Sequence, residues 1–323
     1  MAYDIHRIRN EFPSLAVTDN GKRRVYFDNP GGTQVAKRVM DRMQDYFIHM
    51  NTNGGGAFIT SQQSDALMDE GHAALADLVG SSDPGEIIFG QNMTTLTLHL
   101  SRSIGRTLSA GDEIVVTRMD HDANVSPWLL MAEDHGLKVR WMDFNPETFR
   151  YDQDALDRVL TPKTKLVAVN YASNATGTVN DIRSISRKAH EVGALVFVDA
   201  VQFTPHFVTD VKAIECDFLA CSAYKFYGPH QGLIWGKRDL LEAYTPYKVR
   251  PATNSLPGAY ETGTQSHEGM AGTLGAVEHF EWVGSEMGAG GSSRRERIIS
   301  GFNVIAEYER ELGRRLIRGL KHI

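Results

Sequence analysis

Between residues 86 and 236 the chain repeats one pattern, a short uninterrupted apolar run followed by a longer amphipathic stretch. EIIFG (86–90) leads into TLTLHLSRSIG, DEIVVT (112–117) into NVSPWLLMAEDHG, and KLVAVNY (165–171) into DIRSISRKAHEVG. ALVFVDA (194–200), DFLACSA (217–223) and GLIWG (232–236) follow. The runs are rich in Val, Ile and Phe and do not alternate with polar residues, as strands buried on both faces require. With helices between them they predict an α/β three-layer sandwich around a mostly parallel sheet.

A chain of 323 residues, 41% hydrophobic and 23% charged, can bury the core of one large domain, alone or with a smaller one. Its net charge of -6 and pI near 6.1 disfavour nucleic acid or an anionic membrane surface as partner, since either needs a basic field. Small-molecule chemistry is the expectation. Charges at Asp4, Arg7, Arg9 and Glu11 interrupt any apolar stretch that a signal peptide would need, and no later run is long enough to span a bilayer. The two cysteines, Cys216 and Cys221, lie in an apolar stretch and read as reduced core thiols, so a cytoplasmic location is expected.

GSEMGAGGSSRRER (284–297) is a Gly/Ser-rich, charged break, and a helical stripe of Ile298, Phe302, Ile305, Tyr308, Leu312, Leu316 and Leu320 follows it. Such a stripe needs a partner surface. The expected division is an N-terminal segment (1–25), a large domain (26–283), and a linker with the first helix of a smaller C-terminal α+β domain (284–323) that the chain leaves incomplete. A terminal helix docked on the large domain is the alternative.

In such sheets ligands bind beyond the carboxyl ends of the strands. The residues there are Asn92 to Thr95, Asp120-His121, Ser173-Asn174, Asp199 to Gln202 and Ser222 to Lys225. Lys225 in CSAYKFYGPH follows an apolar strand, where desolvation lowers an amine's pKa and frees it to attack an aldehyde. Alone, such a lysine reads as a surface residue that starts a loop. Asp199, at the end of the most apolar run, needs a cationic partner such as a protonated pyridine, or serves simply as a turn former. His121 is placed to stack on a ring or carry a proton, and Asp120-His121-Asp122 lack a matching His or Cys cluster for zinc, so no metal is expected. The amides of Met93 and Thr94 open a helix and suit a phosphate, to which Ser222 and Thr264 offer hydroxyls.

YFDNPGGT, DHDANVSPW, YASNATGT, VDAVQFTPH, CSAYKFYGPHQG and YETGTQSHEG occur in one order and spacing from about Tyr26 onward. In these the chain resembles the class V aminotransferase superfamily, cysteine desulfurase-like branch, whose members have the fold of type I pyridoxal-phosphate enzymes. The resemblance implies pyridoxal 5'-phosphate held as a Schiff base on Lys225, paired at its pyridine nitrogen with Asp199 and covered by His121. It implies Gln202 and Asn174 near the ring hydroxyl, and Thr94, Ser222 and Tyr224 at the phosphate. Tyr224 stands where the family often has His, and a phenol can donate the same bond. Thr264 matches a threonine that reaches the phosphate of a neighbouring subunit, which implies a homodimer acting on a small amino acid.

Desulfurases of the family carry a nucleophilic cysteine and a carboxylate-binding arginine in a C-terminal region that this chain does not reach. YFDNPGGT and Asp122 also depart from the usual desulfurase motifs. Desulfuration is the leading expectation, with aminotransferase, β-lyase or epimerase chemistry as alternatives. A cofactor-binding but catalytically incomplete partner or scaffold is the non-enzymatic one.

Overall fold

The computed structural model describes residues 3–323. The chain opens with helix α1 (Ile5–Asn10), where Asp4 accepts the N–H groups of His6 and Arg7. An exposed ribbon of β1 (Thr18–Asp19) and β2 (Lys22–Arg23) follows, then helices α2 (Lys37–Asp45) and α3 (Ile59–Val79). The main sheet begins with β3 (Ile87–Gly90), α4 (Met93–Gly105), β4 (Glu113–Thr117), α5 (Ser126–His135) and β5 (Lys138–Met142). It continues with β6 (Thr164–Asn170), α6 (Ile182–Glu191), β7 (Leu195–Asp199), α7 (Val211–Ile214), β8 (Phe218–Ser222) and β9 (Gly232–Gly236). Helices α8 (Arg238–Ala243), α9 (His267–Met287) and α10 (Arg294–Leu320) complete the chain.

Seven strands form one sheet in the order β3-β9-β8-β7-β6-β4-β5. Neighbours from β8 to β5 run parallel, and β9 runs antiparallel to both β8 and β3. The connection 223–231 is too short for a helical crossover, so β9 returns as a hairpin partner. Alternate residues of each strand enter opposite core layers. Val115, Val167 and Val196 pack in the layer that holds Leu75, Phe280 and Phe302, whereas Ile114, Val116 and Phe197 pack in the layer that holds Leu100, Trp128 and Met131. Both sides of the pleat are therefore dry, which explains the uninterrupted apolar runs and bears out the expected α/β sandwich.

The apolar-run criterion passes over β5. KVRWM lies at the sheet edge, with only Met142 fully buried, and Arg140 reaches out to Glu113 with its Nη2 3.0 Å from Oε1. A half-wet edge strand alternates, and so lacks the signal by which its neighbours are recognised.

The break expected from residue 284 falls later. Helix α9 runs on to Met287, and a capping box between Ser293 and Glu296 starts α10. Gly284 serves close packing rather than a turn, because a Cβ there would stand 2.8 Å from the Gly301 nitrogen of α10. Along the α10 stripe, Ile298, Phe302 and Ile305 are buried and Tyr308 stacks on Tyr3 at 4.4 Å. Leu312, Leu316 and Leu320 remain exposed. No helix among the described residues is long and apolar enough to cross a membrane.

Candidate active site

Strand order reverses between β4 and β6, and a cavity of about 460 Å³ opens beyond the carboxyl ends of β4, β6, β7 and β8. Met93, Thr94, His121, Asn174, Asp199, Gln202, Ser222, Tyr224 and Lys225 all line it. Thr264 does not. It lies in a separate cavity of about 600 Å³ with Thr95, His99 and Gln231, so within one chain it does not share an anion with Ser222. The reason is the anchoring of its loop: Glu261 Oε1 accepts Phe89 N at 2.7 Å and pairs with His72 Nε2 at 2.8 Å, holding the loop against β3 and α3.

The start of α4 forms one end of the cavity. Asn92 Oδ1 accepts Thr95 N at 2.9 Å, and the amides of Met93 and Thr94 meet no protein acceptor among the described residues. Gly232 lets β9 pass beneath them, since a Cβ there would sit 2.5 Å from Met93 N. Unpaired amides at a helix start favour an anion.

Lys225 ends a helical turn (Ala223–Lys225) after β8 and is buried, and its Nζ donates to Pro30 O. Gln202 Nε2 donates to the same carbonyl at 2.9 Å. Burial pulls the lysine pKa below its ordinary value, against the opposing charges of Asp199 and Asp28. The amine also lies 4.9 Å from the ring centre of Tyr224, whose ring stacks on His230.

Asp199 is buried at the end of β7, and its Oδ1 accepts Val201 N at 2.9 Å. No protein donor among the described residues reaches its Oδ2. Burial lifts its pKa to about 6, eased by Val201 N and by the charge of Lys225. A buried carboxylate with one open oxygen is short of a cationic donor. His121 Nδ1 accepts Ala123 N at 3.1 Å, so the ring proton is on Nε2.

These residues fit pyridoxal phosphate. The open oxygen of Asp199 suits a protonated pyridine nitrogen, the depressed Lys225 amine suits the aldehyde carbon, and the α4 amides with Ser222 suit the phosphate.

Several lining residues carry no role in the sequence reading. Asp28, Pro30 and Gly31 belong to YFDNPGGT, a loop closed onto the lysine turn by Thr33, whose N and Oγ1 each lie 3.0 Å from Tyr224 O. That motif was the available signal, but nothing local says that it folds onto a segment so far along the chain. Asn170, inside the KLVAVNY run, also lines the cavity and reads from sequence only as strand. Cys216 and Cys221 are fully buried, neither lines the cavity, and burial pushes both thiols up.

The family described as aminotransferase class-V matches residues 25–320. The chain is 32% identical to a cysteine desulfurase of Dickeya dadantii over 297 residues, covering 87% of this chain and 72% of that protein. It is 36% identical to an aminotransferase-like protein of Gibberella zeae over 245 residues, covering 73% of this chain and 58% of that protein. Among solved structures, the cysteine desulfurase CsdA of Escherichia coli matches with a TM-score of 0.78 at 27% identity, over 92% of this chain and 74% of that one. A cysteine desulfurase of Thermococcus onnurineus shares the fold with a TM-score of 0.86 at 24% identity, over 100% of this chain and 78% of that one. The chain therefore belongs to the class-V aminotransferase family, in its pyridoxal-phosphate-dependent, cysteine desulfurase-like branch.

Proposed function

We propose that the protein cleaves the C–S bond of cysteine or a close analogue, with Lys225 and Asp199 as the groups that hold and tune the cofactor. The observation that carries this reading is the enclosure of a depressed amine and a half-satisfied carboxylate in one cavity, beside the open amides of Met93 and Thr94. Pyridoxal phosphate supplies an electron sink for the pair left on the substrate α-carbon.

The chain's own groups do the rest. Asp199 holds the proton on the ring nitrogen and so keeps the ring cationic. Thr94, Ser222, Tyr224 and the α4 amides hold the phosphate, while Gln202 and Asn174 serve the ring hydroxyl. His121, which lines the same cavity, would cover the ring. Lys225, with its pKa drawn below the ordinary lysine value by burial, is the group that takes up or releases a proton at Nζ. Thr264 serves the phosphate of a second copy, a reading supported by its exposure and by the lack of any hydrogen bond to its hydroxyl among the described residues. Cys216 and Cys221 are closed inside the core, so neither is placed to take the sulfur.

The test is reconstitution with pyridoxal phosphate, followed by incubation with L-cysteine, L-alanine and dithiothreitol. A near-visible band that K225A lacks, with alanine and sulfide formed in equal amounts from cysteine, is the expected result. Pyruvate without alanine would assign β-elimination, and racemised alanine would assign epimerisation. A band that responds to no amino acid would leave only cofactor binding.

A further inference from the structure

Asp120 precedes His121 but does not line the cavity, and every group hydrogen-bonded to its carboxyl is a donor, although the Asp199 carboxylate also acts on it through its charge. Thr117 Oγ1 donates to Oδ2, and that hydroxyl oxygen already accepts Met119 N at 3.2 Å, so its proton is turned toward Asp120. Asn170 N donates to Oδ2 at 3.1 Å. Asn124 Nδ2 donates to Oδ1 at 2.6 Å, and its own Oδ1 accepts Trp128 Nε1 at 3.0 Å, which fixes the amide's direction. An amide at position 120 cannot satisfy this set, because it would set one N–H against another.

We infer that Asp120 is a positioning residue that holds His121 and Asn170 in place at the cavity wall. The turn after β4 is bracketed on both sides of His121. Asn124 N donates to His121 O at 2.8 Å, Ala123 N donates to His121 Nδ1, and the Asp120–Asn124 bond closes the loop across them. From the other oxygen Asp120 grips Asn170, whose side chain is tied to Met119 O at 3.0 Å and to Asn180 Nδ2 at 3.0 Å. Both walls of the crevice between β4 and β6 thus depend on one carboxyl. Burial lifts its pKa, and the Thr117 and Asn124 donors oppose that rise.

The inference rests on the cofactor reading above, and the experiment separates the two. Pyridoxal-phosphate affinity is measured by absorbance titration for the wild type, D120N, the swap D120N/N124D, H121Q and D120N/H121Q, each with its melting temperature. In the swap, residue 120 donates to the new carboxylate at 124, which still accepts Trp128 Nε1, so every bond is remade. D120N is expected to weaken binding about tenfold and the swap to recover it to within about threefold. In the H121Q background D120N should cost much less, as expected for a residue acting through His121. A D120N protein that melts earlier yet binds the cofactor as wild type does overturns the inference. So does a folded swap variant that stays tenfold weak, which decides the matter if D120N alone does not fold. A wild type that fails to bind overturns both readings together.

Discussion

Asn170 and Asp199 end adjacent parallel strands and stand directly opposite each other in register. Asp199 O accepts Tyr171 N at 2.8 Å, so the strand ends remain paired one residue beyond Asn170. The pairing places a buried carboxylate at a fixed point of the crevice, with Val201 N on one oxygen and no protein donor among the described residues on the other. Such a group is costly to ionise until a cation arrives.

That cost sets a pH dependence. The Asp199 pKa rises from 3.8 to about 6 on folding, so the folded chain holds its proton more tightly. The associated stability is fully present below the unfolded value and is lost as pH rises through about 6, amounting to about 3 kcal/mol. Urea denaturation of cofactor-free wild type and D199N from pH 4 to 7 should show the wild-type advantage shrinking across that window. Saturating pyridoxal phosphate should flatten the difference, because a ring cation favours the ionised carboxylate. Parallel profiles for the two proteins without cofactor would refute this account.

Gly232 couples the sheet to the anion end of the cavity. A Cβ there would come within 2.5 Å of Met93 N, and backbone cannot move aside as a flexible side chain can. Gly232→Ala should cost about 1–3 kcal/mol of stability and weaken pyridoxal-phosphate binding, because the displaced amides are those that face the cavity. Gly193→Ala is a suitable control. Gly193 has a φ of +77°, where a side chain is strained, but its added Cβ meets open space at the other end of β7 from the site, so the variant should lose stability without loss of intrinsic cofactor affinity.

The central strands were legible because their burial on both faces leaves an uninterrupted apolar trace, and β5 was not because the sheet edge erases it. Motif order likewise brought the residues after β4, β6, β7 and β8 to a common place, since each follows its strand directly. Asp28 and Pro30 escaped because the bonds of Lys225 to Pro30 O and of Thr33 to Tyr224 O close a long loop, and sequence periodicity reports only local geometry. Asp120 escaped for a different reason. Its role depends on the orientation of its neighbours' protons, which residue types alone do not specify.

Cys216 and Cys221 offer a test of where sulfur can go. Both are fully buried, and burial raises both thiols, so neither presents a thiolate to solvent or to the cavity. Iodoacetamide at neutral pH should leave the native protein unlabelled over a period in which the urea-unfolded chain takes two labels. After turnover with L-cysteine, mass spectrometry should find no persulfide on either residue. Cys221→Ala should lower stability by about 1 kcal/mol through lost packing and leave sulfide release unchanged.

The α10 stripe makes the sharpest contrast between pattern and use. Its positions repeat evenly along the sequence, yet Phe302 is buried and stacks on Phe280 at 4.5 Å, while Leu316 is 64% exposed. Hydrophobic spacing reports that a face is apolar, whereas the energy depends on what covers it. Phe302→Ala should therefore cost about 3–5 kcal/mol by opening a cavity between α9 and α10. Leu316→Gln should stay within about 0.5 kcal/mol. Urea midpoints measured at constant slope distinguish the two, and equal losses would mean that the distal half of α10 is covered as well.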